Sequence, residues 1–126
     1  MLSSNIGVDE RGRLTFAGMD TVALAEKYKT PLYLMDEDRI RANCRTYRGA
    51  MEKWFGAGSF PLYASKAASF KQIYRIMAQE GMAIDVVSSG EVYTAVHADF
   101  PMERAYFHGN NKTDEDIAYA MDCGLG

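Results

Sequence analysis

The feature that most constrains this chain is a repeat of apolar, strand-like segments, each followed by a helix-like segment, at a spacing of about 20 residues. Residues 60–65, 82–88 and 104–108 are the predicted strands, and apolar side chains recur at helical spacing after each of them. This alternation is typical of parallel βα units, and continuous apolar strands are expected where both faces of a sheet are covered. The pattern therefore predicts an α/β fold, either a barrel or a doubly wound sheet.

The part of the chain before these units has a different pattern. Residues 13–16 and 31–35 are predicted strands, with a helix over 19–28 between them and a second helix over 36–55. The second helix carries apolar residues at alternating spacings of four and three, namely Ile40, Cys44, Tyr47, Met51 and Trp54. We expect the aromatic residues at helical spacing to pack in the core, namely Trp54, Phe70, Tyr74 and Tyr93.

The composition excludes several classes of protein. The chain has 14 Lys and Arg against 17 Asp and Glu, so it lacks the positive field that attracts nucleic acid. It contains no run of about 18 apolar residues and no basic leader followed by an apolar segment. Cys44 and Cys123 form neither a CxxC pair nor a disulfide pattern. We therefore expect a cytoplasmic protein without a nucleic-acid, membrane or metal site.

Polar residues gather where the predicted strands end: Ser65 and Lys66, then 88–91, then 108–112. In parallel βα folds this edge holds the active site, because strand ends and helix N-termini meet there. Lys66 follows an apolar strand, where burial would lower the pKa of a lysine. A lower pKa favours the neutral amine, which is the form that condenses with a carbonyl. A solvated loop lysine is the alternative interpretation.

Three further residues at this edge are candidates. Asp85 interrupts an apolar strand, so it needs either a cation, for which Lys66 on the adjacent strand is suitable, or several loop amides. Glu91 is expected to stabilise the first turn of the following helix more than to act directly. His108, followed by the turn-forming Gly109, is expected to support the shape of the site.

Three motifs together resemble one enzyme family. They are Tyr63-Ala64-Ser65-Lys66-Ala67, Asp85-Val86-Val87-Ser88-Ser89-Gly90-Glu91 and Phe107-His108-Gly109-Asn110-Asn111-Lys112-Thr113. In order and separation they are similar to the N-terminal portion of the diaminopimelate decarboxylase family, which consists of pyridoxal-phosphate enzymes of the alanine-racemase-like barrel class. The resemblance implies that residues 36–126 are the first three or so units of a partial (β/α)8 TIM barrel. Residues 1–35 would belong in part to a β-rich companion domain.

The resemblance also implies roles for individual residues. Lys66 would hold pyridoxal 5'-phosphate through a Schiff base, with Asp85, Glu91 and His108 lining the cofactor site. The substrate would be the amino acid meso-diaminopimelate, which is decarboxylated to lysine in lysine biosynthesis by a homodimer. Further cofactor-binding segments would lie outside residues 1–126, so this portion alone is expected to be inactive. Ala68 departs from the asparagine of many relatives, and this departure bears on substrate choice.

Three alternatives remain open. One is another decarboxylase of the same barrel class, acting on ornithine, arginine or carboxynorspermidine. Another is a non-catalytic, single-domain pyridoxal-phosphate carrier, although a bare barrel has no need of residues 13–35. The last is an autonomous α/β binding domain of 126 residues, a length sufficient for one core.

Overall fold

The computed structural model describes residues 3–126. The chain forms two compact units, one ending at Ala42 and the other spanning Asn43–Gly126. The division falls inside the longest helix, α2, which is Glu37–Phe55.

The first unit contains a small antiparallel sheet and a short helix. Strands β1 (Ile6–Val8), β2 (Leu14–Phe16) and β3 (Met19–Asp20) pair in that order, and helix α1 (Thr21–Tyr28) follows directly. The helix begins later than predicted because Met19 and Asp20 pair with β2. Asp20 caps α1 by accepting hydrogen bonds from the backbone amides of Val22 and Ala23, which are donors without partners inside the helix.

The predicted strand over 31–35 is wrong. These residues form no regular secondary structure, and among residues 3–126 no strand pairs with them. Tyr33 is 93% exposed, so its apolar neighbours in sequence do not mark a buried strand. An apolar segment becomes a strand only where an adjacent backbone supplies hydrogen-bond partners. At its end, the carboxylate of Asp36 accepts a hydrogen bond from the Arg39 amide and so caps the start of α2.

The second unit contains the predicted βα repeat. Strands β4 (Leu62–Ala64), β5 (Ala83–Val86) and β6 (Ala105–Phe107) lie side by side in chain order and run parallel. Each is followed by a helix: α3 (Lys71–Gln79), α4 (Ser89–Val96) and α5 (Asp114–Asp122). The predicted α/β class is therefore confirmed, with each strand shorter at both ends than the sequence pattern indicated.

One face of the parallel sheet is buried more completely than the other. Side chains alternate along a strand, so Ile84 and Val86 share one face, and both are fully buried. On the opposite face, Ala83 is also buried, but Leu62 and Tyr106 are 44% and 36% exposed. Within residues 3–126, therefore, the second face is covered only in part, and the expectation of cover on both faces is met only in part by this portion of the chain.

Helix α2 is held against the end of α3 by polar and apolar contacts. Cys44 Sγ lies 3.8 Å from Met77 Sδ in the core. Arg45 makes two hydrogen bonds of 2.9 Å to the carboxylate of Glu80, which is nearly buried, and Arg48 donates to the Glu80 carbonyl at 2.9 Å. Such paired guanidinium–carboxylate bonds fix orientation as well as distance.

Burial of the aromatic residues differs from the prediction. Tyr74 is fully buried, but Trp54, Phe70 and Tyr93 are exposed by 72%, 39% and 55%. Of the predicted apolar stripe on α2, only Cys44 is buried. Helical spacing identifies residues that share a face, but it does not say whether another element packs on that face.

Candidate active site

The carboxyl ends of the three parallel strands bring most of the predicted site residues to one edge of the sheet. Ala64 lies opposite Asp85, and Asp85 lies opposite Tyr106 in the register of the sheet. Lys66 follows just beyond Ala64, and His108 just beyond Tyr106. Lys66, Asp85 and His108 therefore stand on neighbouring strand ends, as the sequence predicted.

The environment of Lys66 differs from the prediction. Lys66 is exposed, and no ion pair joins it to Asp85 within residues 3–126. The expectation of a desolvated amine paired with Asp85 is thus wrong for this structure. The physical reason is local: Lys66 lies in a single 3-10 turn, Ser65–Ala67, which takes the backbone out of the sheet, and an amine in reach of water keeps its hydration.

The turn that carries Lys66 is closed by Tyr63. The Tyr63 hydroxyl donates a hydrogen bond of 2.9 Å to the Ala68 carbonyl, and the Ala68 amide donates to the Ser65 carbonyl at 3.1 Å. Burial raises the pKa of Tyr63, so the hydroxyl keeps the proton that it donates. This role of Tyr63 was not predicted from the sequence. The sequence feature that could have indicated it is a tyrosine on the helix-covered face of a strand, because a buried hydroxyl needs a hydrogen-bond partner.

Asp85 contacts His108 instead of Lys66. Its Oδ2 lies 3.8 Å from His108 Nδ1, an electrostatic contact longer than a hydrogen bond. Its Oδ1 is buried and has no hydrogen-bond partner among the described residues. The neighbouring Ser65 Oγ is likewise buried and without a partner in this part of the chain. Two buried oxygens left unsatisfied at one strand edge indicate a place for a further hydrogen-bonding group.

Glu91 has a structural contact. Its Oε2 accepts a hydrogen bond of 2.7 Å from the Val87 amide, while Ser88 Oγ accepts one of 3.3 Å from the Glu91 amide. The Ser88 bond caps the start of α4, and the Glu91 bond ties the first turn of α4 to the residue that follows β5. Glu91 therefore stabilises the β5–α4 turn through a hydrogen bond, whereas the sequence favoured a structural role at the first turn of the helix through its dipole; its place as a cofactor-lining residue remains a prediction.

A hydrogen bond to Asp116 joins the N-terminal ends of α4 and α5. Ser89 Oγ donates to Asp116 Oδ1, and Thr113 forms a reciprocal capping box with Asp116 at the start of α5. The hydrogen bond from Ser89, followed by those from Thr113, lowers the pKa of Asp116. The sequence predicted the cap of α5 but not the link to Ser89, because that link crosses from one βα unit to the next.

The residues at this edge provide an amine, an imidazole, a buried hydroxyl and a carboxylate, and among residues 3–126 the hydroxyl and one carboxylate oxygen have no hydrogen-bond partner. A carbonyl cofactor that bonds to an amine and also accepts or donates hydrogen bonds fits this set of groups. Among residues 3–126, no three His, Cys, Asp or Glu side chains are grouped to hold a metal ion. In the same range, every helix is too short or too polar to span a bilayer.

Comparison with known families decides the class of protein. Residues 37–126 match the family model of the pyridoxal-dependent decarboxylases, in their pyridoxal-binding domain. The chain belongs to this family. The matched range contains all four predicted site residues, Lys66, Asp85, Glu91 and His108.

Individual relatives in this decarboxylase family cover almost the whole chain. The diaminopimelate decarboxylase of Bacillus subtilis is 42% identical over 118 residues, or 94% of this chain and 27% of the relative. That of Methanothermobacter thermautotrophicus is 42% identical over 122 residues, or 96% of this chain and 28% of the relative. The chain therefore spans little more than a quarter of the length of these enzymes.

Solved structures of decarboxylases share the fold. Diaminopimelate decarboxylase of M. jannaschii in complex with L-lysine superposes with a TM-score of 0.86 and 35% identity over 97% of this chain, which is 29% of that structure. A lysine/ornithine decarboxylase of Vibrio vulnificus complexed with cadaverine gives a TM-score of 0.74 and 27% identity over 83% of this chain and 28% of its own.

Proposed function

We propose that this chain is the N-terminal part of a diaminopimelate decarboxylase, which removes CO2 from meso-diaminopimelate to give lysine. The observation that carries the proposal is the identity of about 40% with enzymes of that name over at least 94% of the chain. The L-lysine bound to the M. jannaschii enzyme is the product expected of this reaction, and it supports the same substrate.

We further propose that the parallel sheet is the first part of a (β/α)8 barrel. In a doubly wound sheet the strand order reverses at a switch point, whereas β4, β5 and β6 follow one another without reversal. Helix α3 contacts α4, and α4 contacts α5, as expected of helices on one side of a sheet. The exposed Leu62 and Tyr106 lie on the opposite face, where the interior of a barrel is filled by side chains of other strands.

The N-terminal unit differs in architecture from the parallel sheet. Its sheet is antiparallel and its three strands are joined by short turns, unlike the βα units that follow. We propose that residues 1–35 belong in part to a β-rich companion domain and residues 36–126 to the barrel. A cytoplasmic homodimer is proposed from the resemblance to the family.

The proposed cofactor is pyridoxal 5'-phosphate, bonded covalently to Lys66. Support comes from the position of Lys66 beyond a strand end and from the pyridoxal-binding domain that includes it, and not from burial. Pyridoxal phosphate, when bound, takes up the electron pair that the substrate retains as CO2 leaves.

Each candidate residue has a task that the geometry permits. Within residues 3–126 the Lys66 amine has no ion pair with Asp85 that would compete with bond formation. Asp85 Oδ1 can accept a hydrogen bond at the strand edge, and His108 Nδ1 lies near its other oxygen. Glu91 keeps the β5–α4 turn in place through the Val87 amide.

The second candidate function is decarboxylation of a related amino acid. The likeness to the Vibrio vulnificus lysine/ornithine decarboxylase favours this candidate, and Ala68 in place of a common asparagine bears on substrate choice. The lower identity of that structure, 27% against 35% for the M. jannaschii enzyme, places it second.

The test is an assay of CO2 release by the complete polypeptide that contains these residues. It is supplied in turn with meso-diaminopimelate, ornithine, arginine and carboxynorspermidine in the presence of pyridoxal phosphate. We expect lysine and CO2 from meso-diaminopimelate and at least tenfold lower kcat/KM with the other three, a difference of about 1.4 kcal/mol or more in transition-state stabilisation. Equal or higher kcat/KM with ornithine, arginine or carboxynorspermidine would support the second candidate instead.

A further inference from the structure

Lys112 places its positive charge inside the loop that follows β6. Its Nζ donates one hydrogen bond of 3.1 Å to the Phe107 carbonyl and another of 2.9 Å to the Gly109 carbonyl. The same nitrogen lies 5.0 Å from the centre of the Phe107 ring. An ammonium has three donors, and here two of them bind backbone oxygens of the loop itself.

The two carbonyls bound by Lys112 belong to the residues on either side of His108. Hydrogen bonds from a charged donor are stronger than those between neutral groups, so this arrangement fixes the backbone before and after the histidine. Gly109, which follows the histidine, has a φ of +145°, a conformation that glycine adopts and other residues rarely do.

His108 depends on its backbone for its position. The side chain is 78% exposed, so packing contributes little to holding the ring. Its backbone amide donates to the Val86 carbonyl at 2.9 Å, which extends the β5–β6 pairing by one residue. The ring nevertheless lies with Nδ1 3.8 Å from Asp85 Oδ2.

We infer that Lys112 is a positioning residue, which clamps the backbone around His108 and thereby holds the imidazole beside Asp85. The inference rests on the proposed function only for the assumption that this edge of the sheet is the active site. The clamp itself consists of the two hydrogen bonds from Lys112. It also distinguishes the roles of two lysines at the same edge of the sheet. Lys112 is hydrogen-bonded to loop carbonyls, whereas Lys66 forms no ion pair with Asp85 in residues 3–126.

The test is a double-mutant cycle read by NMR on the complete polypeptide that contains these residues. Residues 1–126 contain two histidines, and His97 lies at the end of α4, where its ring contacts the carbonyl and the ring of Tyr93, so its ring signals serve as an internal reference. In the otherwise unchanged chain, Asp85→Asn should move the ring signals of His108 and leave those of His97 in place. In the Lys112→Met background, the same substitution should move the His108 signals by less than half as much.

Lys112→Met keeps an apolar stem against Phe107 while removing both donors, and Lys112→Arg should restore more than half of the lost effect. Lys71→Met, at an exposed position of α3, is the matched control and should leave the full effect of Asp85→Asn. If Lys112→Met also moves the His97 signals, the same comparison is made with Lys112→Gln in its place.

An effect of Asp85→Asn on His108 that is undiminished without the lysine would overturn the inference. Loss of the effect that Lys112→Arg does not restore would count equally against it. The measurement needs no cofactor, so failure of pyridoxal phosphate to attach at Lys66 would refute the proposed function and leave this result unaffected.

Discussion

The imidazole of His108 lies beside the carboxylate of Asp85, with Nδ1 and Oδ2 3.8 Å apart, on the ends of adjacent parallel strands. The other carboxylate oxygen is buried and unsatisfied among the described residues. A buried acceptor without a partner is costly, so a bound group that donates to it gains from the contact.

The first prediction follows from that unsatisfied oxygen. Asp85→Asn in the complete enzyme should weaken the binding of pyridoxal phosphate by roughly tenfold or more, equivalent to about 1.4 kcal/mol. Equilibrium dialysis against the cofactor measures the change. Asp99→Asn is the matched control, since Asp99 is exposed and has a positive φ that asparagine also tolerates. Unchanged cofactor binding in Asp85→Asn would remove Asp85 from the site.

The second prediction concerns the cap of α5. Thr113→Ala removes the hydroxyl that accepts from the Asp116 amide and should lower the free energy of unfolding by about 1 kcal/mol. Thr113→Ser retains that hydroxyl and should stay within about 0.5 kcal/mol of the original protein. Urea unfolding followed by circular dichroism measures both, and equal stability of the two variants would show that the cap contributes nothing.

The third prediction is a pH dependence that arises at Asp116. Hydrogen bonds from Ser89 and Thr113 lower its pKa in the folded state, so between the folded and unfolded pKa values the unfolded chain binds more protons. The stabilisation is therefore present above the ordinary carboxyl pKa of about 3.9 and is lost as the pH falls through the lower folded value.

Asp116→Asn removes this titration. The difference in urea midpoint between the original chain and Asp116→Asn should be largest near neutral pH and should shrink as the pH falls below about 4. Asp122→Asn, at the exposed end of the same helix, is the control. A difference that stays constant down to acid pH would contradict the linkage.

The fourth prediction tests the core beneath the sheet. Met77 is 1% exposed and contacts Cys44, so Met77→Ala should cost about 2–5 kcal/mol of stability. Met121→Ala, at a methionine that is 73% exposed, should change stability by no more than about 0.5 kcal/mol. Chemical unfolding of the two variants compares them directly, and similar losses would place Met77 outside the core.

The order of the βα units could be predicted from the sequence because each unit has its own local pattern. Apolar strands, helical spacing in α3, and the capping box at Thr113 and Asp116 depend on residues close together in the chain. The edge that gathers Lys66, Asp85 and His108 follows from parallel topology alone. Local signals therefore identified both the fold class and the location of the candidate site.

Contacts between residues that are far apart in the sequence could not be predicted in this way. The Asp85 partner is His108 and not Lys66, because a single turn after β4 carries Lys66 away from the sheet. The buried Glu80 is paired with Arg45 across 35 positions of sequence, and no local pattern indicates that pair. Residues 31–35 have a strand-like composition but lack a neighbouring strand, which is a tertiary condition that sequence composition does not record.

The proposed function depends most on the covalent attachment of the cofactor at Lys66. The complete enzyme is incubated with pyridoxal phosphate, reduced with borohydride, digested and mapped by mass spectrometry. We predict a pyridoxyl-phosphate adduct on the peptide that contains Lys66, and its absence from a Lys66→Ala variant that still folds. An adduct found instead on Lys112 or Lys71, or an unchanged adduct in Lys66→Ala, would contradict the proposed attachment.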